Sequence, residues 1–157
     1  MTATRILVAT DFSLDSDSAL AYALALAKTI PASVHVVHVV ENPLAAGVWS
    51  SEVYTTEIAG LQINLVRDAK KQLQRGIRSL DHPGVKITSE ARTGRPATAI
   101  VQCAREREID LIIVGSHGRT GLAHLMMGSV AEHVVRHAPC PVLVVRPVEH
   151  DARAAAS

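Results

Sequence analysis

Five short aliphatic runs are spaced along this chain, and longer amphipathic stretches fill the gaps between them. The runs are RILVAT (residues 5–10), SVHVVHVV (33–40), VKITSEAR (85–92), DLIIVG (110–115) and VLVVR (142–146). An unbroken aliphatic run reads as a strand covered on both faces, the situation of a parallel sheet flanked by helices. The third run differs, alternating apolar and polar residues as an edge strand with one wetter face would. Between the runs, ALAYALALAKTI carries Leu20, Ala23, Leu24 and Ala27 on one helical face and stops before Pro31. A longer helix is expected over residues 58–80, with Ile58, Leu61, Leu65, Ala69, Leu73, Ile77 and Leu80 stepping by three or four. Residues 41–57 before it read as an irregular connection. Pro96 suits the first turn of a helix reaching about Arg107, and residues 129–138 form a last short helix.

The order is therefore βαβαβαβαβ, which argues for an α/β fold: an open five-stranded parallel sheet with helices on both faces, Rossmann-like. Right-handed crossovers make 3-2-1-4-5 the expected strand order. The order reverses between the first and fourth strands, and ligands of such sheets bind beyond the carboxyl ends of the strands at that reversal. The length of 157 residues suits one domain, expected over residues 1–147, with residues 148–157 as a disordered tail. Aromatic residues make up only 3% of the chain against 48% apolar residues, so the core must be aliphatic. A formal net charge of +1 gives no electrostatic footprint for nucleic acid. No apolar run approaches the roughly 18 residues that span a bilayer. The first residues lack a signal-peptide pattern, and Cys103 and Cys140 form no C-x-x-C pair. A cytoplasmic setting is expected, with both thiols acting as small buried hydrophobes.

The segment GSHGRTGLAHLMMGS (115–129) begins at the carboxyl end of the fourth strand. Gly115, Gly118 and Gly128 allow positive φ and close approach of a ligand to the backbone. Ser129 and Glu132 match the S-x-x-E capping box, with Ser129 as N-cap. The first amides of that helix lack intrahelical acceptors and carry the positive end of the helix dipole, which suits an anion. His117 and Arg119 can add positive charge. Each glycine taken alone could simply end a strand or make a turn; their combination at the reversal point favours phosphate. The opposite wall is expected to carry Asp11, at the carboxyl end of the first strand. Two other phosphate motifs are missing: no G-x-x-x-x-G-K-[ST] occurs, and TDFSLDS has no glycine for a dinucleotide fingerprint.

These residues resemble the universal stress protein family, in particular its ATP-binding branch with the motif G-x2-G-x9-G-[ST]. Gly115, Gly118, Gly128 and Ser129 stand at that spacing. ILVATDFS, HVVHVVE and the last third of the chain resemble the family as well, so the likeness spans residues 5–146. The resemblance implies a fold of the adenine nucleotide alpha hydrolase type and an ATP site, with Mg2+ accompanying the nucleotide. It implies that Ala9, Thr10 and Asp11 face the nucleoside and that Val39 meets adenine through its backbone. Gly115, His117, Gly118 and Arg119 would surround sugar and phosphates, and Gly128, Ser129, Val130 and Ala131 would bind the phosphates. Trp49 is either a lid over the adenine side or a surface-packed aromatic. The resemblance also implies a homodimer through the last strand, Val142, Leu143, Val144, Val145 and Arg146, whose charge-free aliphatic edge invites pairing.

No catalytic constellation is apparent: the serine-rich turn has no G-x-S-x-G elbow. His133 and His137 are four apart, a spacing zinc sites use, but lack the glutamate of H-E-x-x-H and a third ligand. His35 and His38 cannot share a strand face. The basic positions Arg67, Lys70, Lys71, Arg75 and Arg78 read as solvated surface. The expected function is an ATP-dependent switch or adaptor with an unknown protein partner. The alternatives are a slow Mg-dependent ATPase or related nucleotide-processing enzyme, or an interaction module that binds no nucleotide or binds cyclic AMP. A receiver domain would need an aspartate after the third strand, where this chain has Ala91 and Arg92.

Overall fold

Aliphatic strands that must lose water on both sides require a helix layer above and below them. That is the arrangement in the computed structural model, which describes residues 4–41, 53–80, 82–118 and 127–147. The elements follow in the order β1 (Arg5–Ala9), α1 (Leu14–Thr29), β2 (Ser33–Val40), α2 (Val53–Arg78), β3 (Ile87–Thr93), α3 (Pro96–Glu106), β4 (Leu111–Gly115), α4 (Ser129–His137) and β5 (Val142–Val145). The strands form one five-stranded sheet ordered β3-β2-β1-β4-β5, and every pairing is parallel.

Alternate residues of each strand feed two separate cores. Ile6, Val8, Val34, Val36 and Ile113 pack against Ala19, Ala23 and Leu24 of α1 and Leu73 of α2. Leu7, Val37, Ile112 and Val114 pack against Ile100, Val101 and Ala104 of α3 and Ala131 and Val134 of α4. Helices α1 and α2 thus cover one face, and α3 and α4 the other. The fully buried side chains are almost all aliphatic.

Several boundaries differ from the sequence expectation, each for a local reason. Helix α1 starts five residues early, because Ser13 serves as N-cap and accepts from the Ser16 amide, and Asp15 and Asp17 stabilise the first turn. Helix α2 begins at Val53 rather than near Ile58. Its 26 residues run about 39 Å, whereas the eight-residue β2 spans only about 26 Å. The helix therefore outruns the sheet: Ala69 and Leu73 are buried, but Leu61 and Leu65 are 52% and 41% exposed despite lying on the apolar stripe. Strand β4 starts after Asp110, whose carboxylate accepts from the Thr4 and Arg5 amides at 3.1 and 2.9 Å and from the Thr4 hydroxyl. Strands β3 and β5 are the two edges, as their polar and short patterns suggest. Residues 148–157 lie outside the described residues.

Candidate functional site

Strand β1 lies between β2 and β4. The helix after β1 packs on one face of the sheet and the helix after β4 on the other. The chain therefore parts at the carboxyl ends of β1 and β4 and leaves a crevice. A cavity of about 730 Å³ opens there, within the roughly 300–1,000 Å³ usual for small-molecule sites. Ala9, Thr10, Asp11, Val39, Gly115, His117, Gly118, Gly128, Ser129, Val130 and Ala131 all border it. Arg119 and Trp49, also singled out in the sequence, lie outside the described residues.

The β1 wall is braced by its own short polar side chains. The Thr10 amide donates to Val37 O at 2.9 Å, which carries the β1–β2 ladder past the end of the strand. The Thr10 hydroxyl accepts from the Phe12 amide at 3.0 Å. Phe12 has φ +64°, a conformation a bulky residue adopts at a cost of about 1–3 kcal/mol when its surroundings enforce it. Here the enforcing contact is His38, whose ring lies 4.4 Å from that of Phe12 and whose Nδ1 donates to Thr10 O at 2.8 Å. The turn leaves Asp11 at the cavity rim, where Oδ1 accepts from the Ser13 amide at 3.1 Å and from the Ser13 hydroxyl.

On the β4 wall the glycines have a different reason from the expected one. Among the described glycines only Gly84 and Gly94 have positive φ. A Cβ on Gly115 would fall 2.8 Å from the carbonyl carbon of Asp15, so the first turn of α1 occupies the place of a side chain. A Cβ on Gly118 would lie 2.7 Å from Asp11 Oδ2, and one on Gly128 would lie 3.3 Å from Ser116 O. The motif packs three segments of this chain against one another.

The capping box does not form. Gly128 is the N-cap of α4 with φ −62°, no side chain among the described residues caps the helix, and Ser129 is the first helical residue. Glu132 pairs instead with Arg136 one turn on, at 2.8 Å. The physical consequence strengthens the anion argument: the first amides of α4 start without a side-chain acceptor, at a helix end that borders the cavity.

A second polar cluster sits away from this cavity, where β2, β3 and α3 meet. Glu90 Oε1 accepts from Arg92 Nε at 2.9 Å, Arg107 Nε at 3.1 Å and the Cys103 thiol at 3.1 Å, and lies 3.0 Å from His35 Nε2. Burial works against the Glu90 anion, but these donors outweigh it and hold the carboxyl far below its usual range. Burial, helped by Glu90, pushes the Cys103 thiol up to about 12. Burial likewise lowers His35, against the pull of Glu90. His35, Glu90 and Cys103 are the one trio of metal-type donors drawn together among the described residues. Two guanidinium groups already claim the carboxylate. Cys103 is fully buried in the core with Ile100 and Ala104, as its reading as a small buried hydrophobe expects, and its thiol also donates to Glu90. Cys140 is half-buried. His35 and His38 do point to opposite faces, one into this cluster and the other towards the cavity.

Sequence reasoning also missed Phe12, His38 and Ser116, which border the cavity, and Asp15, which holds its β4 wall from behind. Their chain positions hold the only local signal, a serine- and aspartate-rich turn and a histidine inside an aliphatic strand. A model of the universal stress protein family matches residues 2–146 of this chain. Universal stress protein MJ0531 of Methanocaldococcus jannaschii is 35% identical over 147 residues, covering 90% of this chain and 81% of that protein. The structure of MJ0577 from the same organism shares 30% identity at a TM-score of 0.80, covering 93% of this chain and 97% of its own. A universal stress protein solved in complex with cAMP has a TM-score of 0.59 at 24% identity, covers 93% and 98%, and is alike in fold.

Proposed function

The chain belongs to the universal stress protein family, and on that footing we propose that it binds ATP in the cavity between β1 and β4 and acts as a nucleotide-dependent switch or adaptor. One observation carries this reading. The start of α4, which no side chain among the described residues caps, borders a cavity of about 730 Å³ whose opposite rim carries Asp11. Exposed amides at a helix start suit phosphate oxygens, and a carboxylate can accept from an adenine amino group or a ribose hydroxyl. The absence of a Cβ at Gly128, where one would already crowd Ser116 O, leaves the backbone open to the ligand.

In this reading Ala9, Thr10 and Asp11 meet the nucleoside and Val39 meets adenine through its backbone. Gly115, His117, Gly118 and Arg119 surround sugar and phosphates, and Gly128, Ser129, Val130 and Ala131 take the phosphate tail. Mg2+ enters with the nucleotide, held by its phosphates and water. Two chains pair through the edge of β5, where Val142, Leu143, Val144 and Val145 are all half-buried in the single chain and Arg146 follows. Light scattering behind a sizing column should give twice the chain mass, and a mass of one chain would defeat the pairing.

The test of the main reading is calorimetry with ATP, GTP and cyclic AMP in the presence of Mg2+, followed by phosphate release over hours. ATP binding with negligible turnover is expected. Rapid release would make the protein an enzyme, and no heat with any nucleotide would leave an interaction module.

A further inference from the structure

Asp15 does not border the cavity, yet it holds the part of the wall on which the phosphate end depends. It lies in the first turn of α1, and its Oδ2 accepts from the Ser116 hydroxyl at 2.9 Å and from the His117 amide at 2.9 Å. Ser116 is 2% exposed. The Ser116 oxygen lies 3.0 Å from His117 Nδ1, and that ring nitrogen is also 3.5 Å from Asp15 Oδ2, so the three side chains form one cluster. The carbonyl of the same Ser116 accepts from the Gly128 amide at 2.8 Å. A continuous line of hydrogen bonds therefore runs from the start of α1, through the exit of β4, to the N-cap of α4.

We propose that Asp15 is a positioning residue for the phosphate end of the cavity: through Ser116 and His117 it sets where Gly128 and the start of α4 lie. Gly115 fits the same picture, because only a residue without Cβ lets β4 exit against the Asp15 backbone. Asp15 also brings a negative charge towards a region meant for phosphate. Its geometric role and its charge thus act on nucleotide affinity in opposite directions, and two substitutions separate them.

The inference rests on the ATP reading above, and the experiment keeps the two apart. ATP and adenosine are each titrated by calorimetry, with Mg2+, into wild type, Asp15→Ala and Asp15→Asn. Loss of hydrogen bonds to a charged group should weaken ATP about tenfold or more in Asp15→Ala, with adenosine affinity unchanged. Asp15→Asn keeps an acceptor oxygen and loses the charge, so it should bind ATP at least as well as wild type. A wild type that binds no ATP overturns the preceding reading, and this inference with it. A wild type that binds while Asp15→Ala binds equally well overturns this inference alone, as does an equal loss for ATP and adenosine. Hydrogen exchange of the free protein adds a ligand-independent check: the His117 and Gly128 amides should exchange faster in Asp15→Ala while β1 and β4 stay protected. Unchanged exchange at those two amides would also overturn it.

Discussion

Glu90 and Asp15 are both half-buried carboxylates that tie a helix to the sheet, but the networks around them are finished in different ways. Around Glu90 every donor is a side chain of this molecule, and the oxygen that receives most of them leaves no place for a ligand. Around Asp15 the hydrogen-bond donors are a hydroxyl and a backbone amide, with the His117 ring Nδ1 3.5 Å away, and the next element along the line is a helix whose first amides no described side chain caps. The first network is closed and serves stability. The second passes its order on to backbone that borders a cavity. Charged and sulfur-bearing side chains that satisfy one another leave little for a ligand, whereas backbone amides at a helix start can still take an anion.

Breaking the open side should give the largest effect. Gly128→Glu puts a side chain and a negative charge at the N-cap of α4, and ATP affinity should fall more than about 100-fold, since both the space and the amides are lost. A calorimetric constant equal to wild type would show that the nucleotide lies elsewhere. Circular dichroism should keep the helical signal, because φ at this position is ordinary.

The closed side should answer in stability and not in binding. Glu90→Ala leaves Arg92 and Arg107 without their shared acceptor, for an expected loss of about 1–3 kcal/mol in urea unfolding. Arg107 is 42% exposed, and water at its guanidinium keeps the loss below the about 3–5 kcal/mol of a fully buried pair. Nucleotide affinity of this variant should match wild type; a parallel loss would mean that the two networks are coupled through α3.

The smallest effect sharpens the same contrast with pH. His35 has a folded pKa below its ordinary 6.5, so the unfolded chain takes up the proton first and stability should begin to fall as pH drops below about 6.5. Glu90 has a folded pKa far below its unfolded value, so its contribution is present above about 4.5 and is lost as pH falls further. Urea midpoints measured from pH 7 to 2.5 should therefore decline in two stages, and His35→Gln should flatten the upper one. A midpoint independent of pH across that window would remove His35 and Glu90 from the acid response.

How much of this was legible beforehand depended on the distance over which the information acts. The strand order, the edge character of β3 and the apolar face of α1 were readable because each follows from periodicity within one element or from the handedness of one connection. The start of α2 was not: its length is set by what lies beside it, and the sheet beneath ends before the helix does. The glycine spacing pointed to residues that border the cavity, but for a reason the structure replaces. Gly115, Gly118 and Gly128 are tight against Asp15, Asp11 and Ser116, and no count of residues along the chain shows that.

The sequence by itself determined the layered parallel sheet, its reversal between β1 and β4, and the presence of a glycine- and serine-marked helix start at that point. Aliphatic period and short-range spacing are local properties that survive in a one-dimensional string. Tertiary structure alone decided which acid does which task. Asp15 meets Ser116 and His117 across more than 100 residues of chain. Glu90 meets Arg107 only because α3 docks against β3. Such contacts exist only once the helices have settled on the sheet at a particular depth and angle, and that follows from the packing of the two cores as wholes.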